Sequence, residues 1–558
     1  MTAAERVIAH FDRISEAPGA IARLRRFILD LAVRGRLVDQ DPSDEPASTL
    51  VERIQAAKRA EGIRARKVDA FHETELPFAA PDGWTWARIG QVTSDRGQAI
   101  PAESFTYIDV TSIDKEVGRI AAAKVLSVGD APSRARKRAL KGDLLYSCVR
   151  PYLLNVAVID RDFVPPPIAS TAFAVLNGFG LVVPQYLWIA LRSSAMVTQV
   201  ESKMRGQAYP AINDSDFQAL PFPLPPLAEQ HRVVAKVDEL MALCDRLEAA
   251  QKKRESRRDR LVNASLARLN QPGDAPALHE HTRFHLQHLP RMTSSRAHVQ
   301  QLRQTILHLA VGGKLVPQLQ NEEPAKLPMS AEEWLPAAVP NGWRYVPLAS
   351  LLAEDTRNGY SRKPDEIPGG TPILRISACT IRGDGVVAEE EHKLISGIGS
   401  DVRLQYGLNV GDLLACRFNG NRSFVGRLAI FRDRLRLQPI YPDKLIRVRV
   451  ARELVAPAFI RFAGDTGLVR RQIEAACATT VGNWGISASN LKEVRFPVPP
   501  LAEQRRIVAK VDELMAVCDR LEAQLEAGRV AQGALLEATL RDVLTAREQA
   551  PMIAPEFG

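Results

Sequence analysis

Phe222 to Ala249 (FPLPPLAEQHRVVAKVDELMALCDRLEA) recurs as Phe496 to Ala523 (FPVPPLAEQRRIVAKVDELMAVCDRLEA), with four changes in 28 positions and a constant offset of 274. A chain that carries one long segment twice has to house it twice in equivalent surroundings, so repetition decides the architecture before any single motif does. Each copy opens on prolines (Pro223, Pro225, Pro226; Pro497, Pro499, Pro500), which lack the amide hydrogen that strand ladders and helix interiors need. The pattern predicts no strand through them and a helix starting near Leu227 and near Leu501. Glu229 and Glu503 then fall in the first turn, where the helix dipole favours a carboxylate. Apolar residues follow at intervals of 4, 3, 4 and 3: Val233, Val237, Leu240, Cys244 and Leu247 in the first copy, Ile507, Val511, Leu514, Cys518 and Leu521 in the second. A 3.5-residue period marks a coiled-coil seam that needs a partner along its length, and the simplest partner is the other copy.

Shorter matches extend the repeat. Leu24 to Gln40 answers Leu302 to Gln318, Pro81-Asp82-Gly83-Trp84 answers Pro340-Asn341-Gly342-Trp343, and Gly142-Asp143-Leu144-Leu145 answers Gly411-Asp412-Leu413-Leu414. Two equivalent halves in one chain imply a pseudo-twofold relation. In the middle of the chain a long helix is followed by a short one, whereas at the ends these pieces are separated. If residues 501 to 546 return onto residues 20 to 36, the ends rebuild a second copy of the middle.

The order of variable domain, PLPPLAEQ helix, variable domain and PVPPLAEQ helix resembles the DNA-specificity subunit of type I restriction-modification enzymes, over nearly the whole chain. The resemblance implies a mixed α/β (α+β) fold with two target-recognition domains separated by two long antiparallel coiled-coil helices. Its divisions are an N-terminal helical region (1–75), target-recognition domain 1 (76–222), a central helical spacer and linker (223–335), target-recognition domain 2 (336–496) and a C-terminal helical spacer (497–558). By the same resemblance the chain is a non-catalytic reader of a split, asymmetric site in double-stranded DNA. Its other partners would be two methyltransferase subunits, which carry S-adenosylmethionine, and restriction motor-nuclease subunits, which carry ATP and Mg²⁺.

Composition agrees with a polyanionic partner without requiring one: the net charge is +9. Six scattered cysteines with no C-x-x-C pair suit reduced thiols in a cytoplasmic protein, and no apolar run is long enough to span a membrane. No catalytic constellation emerges. There is no G-x-G-x-x-G opening a helix and no G-x-x-x-x-G-K-[ST], since Gly312-Gly313-Lys314 is followed by Leu315. An enzyme with unfamiliar motifs and a purely structural coiled-coil adaptor are the alternatives. His281, His285 and His288 share a helix face without an acidic or cysteine ligand, so no metal site is expected.

Candidate DNA contacts come from loops that combine cations, amides and aromatics, the inventory that reaches phosphates and base edges. In the first domain Arg150, Tyr152 and Asn155 follow a strand, after the basic run Arg134, Arg136, Lys137, Arg138 and Lys141. Gln207 and Tyr209 lie in the last loop, Gly206 to Asn213, which is equally readable as a turn with a packed Tyr209. In the second domain the candidates are Arg357, Asn358 and Tyr360 in a loop around Gly359, then Arg417, Asn419, Asn421 and Arg422 as the counterpart of the Arg150 loop. Asn483 and Trp484 answer the Gly206 loop, with Trp484 alternatively a core residue. Two basic helical stretches remain. Lys58, Arg59, Arg64, Arg66 and Lys67 face phosphate or solvent, and the run from Lys252 to Arg260 suits a nucleic-acid backbone or an acidic partner subunit.

Overall fold

The computed structural model describes residues 16–63, 71–271, 275–319, 321–327, 340–480 and 482–545. Arg64, Arg66 and Lys67 lie outside them. Two compact units divide the chain after Arg254 and again after Gly528, so that one unit holds the residues on either side of Glu255–Gly528. The two cuts fall at equivalent points of the repeat (528 − 254 = 274). No helix among the described residues is long and apolar enough to cross a membrane.

The two long helices run Leu227–Asn270 and Leu501–Thr545, starting at the residues that the proline stops predict. Each unit adds a short helix, Ala20–Val33 in the first and Arg296–Val311 in the second. In the first unit Val233, Val237 and Cys244 are buried with Leu24, Ile28 and Leu31 of the short helix, with Leu240 and Leu247 packed at the edge. In the second, Ile507, Val511 and Cys518 are buried with Val299, Ile306 and Ala310, flanked by Leu514 and Leu521. Ion pairs repeat the arrangement. Arg25 meets Asp245 at 2.6 Å and Glu248 at 2.9 Å; Arg303 meets Asp519 at 2.7 Å and Glu522 at 3.2 Å. In each unit the seam residues share a core with the short helix of that unit.

The expected return of the chain's end is present. Leu536, Leu540 and Val543 of the second long helix join the core of the first unit, and Arg23 pairs with Glu537 at 3.0 Å. The equivalent residues 274 positions earlier, Val262, Leu266 and Leu269, are buried with Met292 in the second unit. These positions coincide although the two sequences have diverged there. Both short helices end alike: Gly35 and Gly313 take positive φ (61° and 67°), and a Cβ on either would come within 2.5 Å of Pro81 or Pro340. Only glycine permits both the conformation and the approach.

The variable domains enter and leave through a two-stranded antiparallel ribbon, Thr85–Arg88 with Pro221–Leu224 in one unit and Arg344–Pro347 with Arg495–Val498 in the other. Prolines thus sit inside strands, against expectation. Pro221 and Pro223 occupy alternate positions, and the Pro223 carbonyl faces away from the partner strand to accept the Tyr186 hydroxyl at 2.9 Å. A proline there forfeits no ladder bond. Beyond the ribbon, Asn213 and Ser487, again 274 apart, cap short helices by accepting Asp216 N–H (2.7 Å) and Asn490 N–H (2.9 Å). The Gly-Asp-Leu-Leu matches are held by their aspartates. Asp143 accepts from Leu140 N–H and Arg96, while Asp412 accepts from Asn409 N–H and Arg449, and both are buried.

The L-A-E-Q motif is a fastening between helix and domain. Trp84 Nε1 donates to Glu229 at 2.9 Å and Trp343 Nε1 to Glu503 at 3.1 Å. Gln230 accepts Val183 N–H at 2.8 Å and Gln504 accepts Ala456 N–H at 2.7 Å. Burial pushes both glutamate carboxyls above the ordinary range, opposed by the tryptophan hydrogen bonds. A carboxyl with a raised folded pKa favours folding in its protonated form. Its destabilising ionisation therefore sets in as pH rises from the ordinary carboxylate value through the folded one. The double variant Glu229→Gln, Glu503→Gln is expected to flatten thermal midpoint against pH across that window. An unchanged slope would show that these groups do not titrate differently in the folded chain.

Candidate nucleic-acid interface

In the first domain a four-stranded sheet (order 124–126, 105–108, 167–170, 135–138) accompanies a three-stranded one (173–176, 144–147, 156–158). The strand Leu144–Ser147 delivers the chain to Arg150, which takes a positive φ of 48° and starts a single turn, Pro151–Leu153. This turn is laced to the last loop of the domain. Arg150 N–H donates to Pro210 at 2.8 Å and Ile212 N–H to Cys148 at 3.0 Å. The Arg150 guanidinium lies 4.8 Å from the centre of the Tyr209 ring and donates to the Ala208 carbonyl at 3.2 Å. Tyr209 is 71% exposed and Tyr152 41% exposed, so neither is consumed by packing. Gln207 is exposed at the loop tip. Arg134, Arg150, Asn155 and Tyr209 line a cleft of about 670 Å³, with Asn155 largely buried within it.

The basic run divides once folded. Lys137 is buried against Asp95 at 2.6 Å and Lys141 pairs with Asp162 at 3.0 Å, leaving Arg134 and Arg138 exposed. The strand Ala135–Arg138 alternates its faces, which a count of charges does not show. Lys58 is likewise buried, donating to the Gly90 and Thr93 carbonyls at 2.6 Å, and faces neither phosphate nor solvent.

The second domain repeats the design with other residues. Its four-stranded sheet (352–358, 445–450, 413–416, 428–430) leads into a smaller one in which Phe418–Asn419 pairs with Asn483–Gly485 and that strand with Ala478–Thr480. The expected last loop is therefore largely a hairpin. Arg422 lies 4.7 Å over the Trp484 ring and donates to the Glu474 carbonyl. Trp484 is half-buried and Asn483 exposed beside it. Asn419 and Asn421 spend their side-chain carbonyls locally, accepting Asn421 N–H at 2.9 Å and Ser423 N–H at 3.0 Å. Arg417 is half-buried, stacked 4.7 Å over Phe418 and donating to the Asp443 carbonyl at 3.2 Å. Lys444 approaches the same ring at 5.3 Å; it was invisible as a neighbour in a sequence where it stands 26 residues away.

The segment around Gly359 is not a loop where expected. Leu352–Asn358 is a strand, with Arg357 exposed and Asn358 half-buried. A Cβ on Gly359 would come within 2.2 Å of the Tyr441 and Pro442 carbonyls, so the glycine serves close approach and not hinging. Tyr360 packs 5.4 Å from Tyr406, itself 6.3 Å from Tyr441. It is a packing residue, separate from the Arg422–Trp484 pair. His285 turns inward to Ser265 at 2.9 Å, and no group of His, Cys, Asp or Glu among the described residues has metal-holding geometry.

What the two domains share is an arginine from the turn after the core strand laid over an aromatic from the last loop. The sequence pattern of the type I restriction modification DNA specificity domain matches residues 153–255. The EcoEI type I specificity subunit of Escherichia coli is 27% identical over 557 residues, 93% of each chain. The EcoAI specificity subunit of Escherichia coli is 27% identical over 569 residues, again 93% of each. The chain is thus similar to type I restriction enzyme specificity subunits over nearly its whole length. A solved chain described under complex assembly and conformational transition of the type I R-M system shares 25% identity. It superposes with a TM-score of 0.55, covering 84% of this chain and 99% of that one. In this chain the matched pattern spans the downstream side of the Arg150 turn, the last loop and the long helix as far as Glu255.

Proposed function

We propose that the chain is the DNA-specificity subunit of a type I restriction-modification complex, in which each variable domain reads one half of a split, asymmetric site. The observation that carries this is the paired Arg150–Tyr209 and Arg422–Trp484 arrangement, at equivalent places in two domains that otherwise differ. A guanidinium offers five donors, and each arginine spends only part of them on its own carbonyl. The remainder suit a guanine edge or a phosphate, and the aromatic face fixes the plane in which they are offered. Unequal surroundings of the two pairs suit unequal half-sites. The subunit itself performs no catalysis. Type I specificity subunits work in assemblies; the further partners of this one are two methyltransferase subunits holding S-adenosylmethionine and motor-nuclease subunits holding ATP and Mg²⁺.

The test uses the chain with its modification subunits. Arg150→Ala and Arg422→Ala are each expected to lower affinity for the cognate site by roughly 10- to 100-fold and to relax discrimination in one half-site only. Tyr360→Phe, which alters only packing at the Tyr406 cluster, serves as a control with unchanged specificity. Wild-type discrimination in both arginine variants would overturn the assignment.

A further inference from the structure

The first long helix carries a feature that neither domain accounts for. Arg246, Lys253, Arg257 and Arg260 are all exposed. At 3.6 residues per turn, their spacing of 7, 4 and 3 brings them onto one stripe about 60° wide. The buried residues of the same helix, Val237, Cys244, Val262 and Leu266, centre on the opposite side, so the row points away from the core. Other cations of this stretch are used locally: Lys252 meets Glu248 at 2.7 Å and Arg254 meets Glu16 at 2.7 Å. Among the described residues none of the four in the row has a carboxylate partner; Arg260 reaches only the Ser256 carbonyl, at 3.4 Å. The second long helix, which shares the buried pattern, has Arg520, Ala527, Ala531 and Ala534 at the equivalent positions. Folding of this helix therefore does not require the cations, since its counterpart folds with alanines in three of the four places.

We propose that this face of the first long helix holds the phosphodiester backbone of duplex DNA, through Arg246, Lys253, Arg257 and Arg260, outside the bases read by either domain. The inference rests on the DNA-reading function proposed above. Fourteen residues of helix span about 21 Å, at about 1.5 Å per residue. That is the length of about six base pairs, enough for four successive contacts to one strand or across a groove. A protein partner of this face would be expected to meet an apolar centre. Between its cations the row holds only Ala249, and the exposed leucines Leu243 and Leu261 stand beyond its two ends, so its centre is a run of charge without an apolar anchor, the composition of a backbone contact.

The experiment changes all four residues to glutamine in the full chain, assembled with its modification subunits, and measures binding to cognate and to random-sequence duplexes over a range of salt. Wild type and variant should melt at the same temperature, since the side chains are exposed. The slope of log affinity against log salt is expected to shrink by about three to four, at about 0.9 per phosphate contact. Affinity should fall by one common factor on every sequence, with half-site discrimination unchanged. An unchanged slope with weakened assembly would overturn the proposal in favour of an acidic protein surface, and an unchanged slope with normal assembly would reduce the row to a solvated face. In both cases specific binding by the wild type would leave the reading function standing. A wild-type complex that binds no duplex would sink that function and this proposal together.

Discussion

Val511→Asp is expected to leave the second unit unfolded. Val511 has no exposed surface and sits among Ile507, Cys518 and the short-helix residues Val299, Ile306 and Ala310. A carboxylate placed among these apolar side chains costs several kcal/mol, a large share of the roughly 5–15 kcal/mol that holds a domain together. Val237→Asp, at 2% exposure, is expected to do the same to the first unit. Leu240 and Leu514, from the same seam, are only half-buried, so aspartate there should be milder. Val530, on the second long helix and 64% exposed, is the control: Val530→Asp should melt as wild type does. Hydrogen exchange resolved along the chain would distinguish loss of one unit from loss of both. A Val511→Asp chain with full protection in residues 296–311 would show that the seam is not what holds the short helix.

Exchange of domains has an equally large expected effect, on specificity instead of stability. The ribbon marks where a graft can be cut. Ile89 N–H closes on Leu220 at 3.1 Å and Leu348 N–H on Val494 at 2.9 Å. The frame meets the two domains alike: Trp84 stands edge-on to Tyr186 at 6.3 Å, and Trp343 to Phe459 at 6.2 Å. Residues 348–494 placed between Arg88 and Pro221 would thus find the glutamine and tryptophan fastenings they already use. The resulting chain, with two copies of the second domain, should direct methylation to sites whose halves carry the same bases. Discrimination of about a thousandfold or more should move from the old half-site to the new one. Methylation-sensitive sequencing of DNA from cells carrying the graft reads this directly; retention of the original first half would refute independent recognition.

The framework was legible in the sequence because it is written there twice. Helix starts at Leu227 and Leu501, the glycine ends of the short helices and the return of Leu536 to Val543 onto the chain's beginning all follow from matching one half with the other. The share of the short helix in covering the seam was not legible: a 3.5-residue spacing says that a stripe is buried, and does not name every element that packs on it. The prolines of Pro221–Leu224 misled for a related reason, since a missing amide hydrogen is harmless on the outer side of a two-stranded ribbon. Within the candidate site, sequence composition located the loops. It could not separate Tyr209, which is exposed under Arg150, from Tyr360, which packs, because both are tyrosines beside glycine and arginine. Lys137 and Lys58 were misjudged as free cations because their partners, Asp95 and two backbone carbonyls, lie more than 30 residues away.

The core of the first unit has a consequence for how the protein is made. Leu536, Leu540 and Val543 belong to the same buried cluster as Ile21 and Leu24, yet they leave the ribosome more than 500 residues later. Until they emerge, the first unit keeps part of its apolar surface uncovered. The second unit, contained in Glu255–Gly528, can close before the last residues are added. A stop codon after Gly528 would therefore spare the unit that immediately precedes it and injure the one whose other residues were made first.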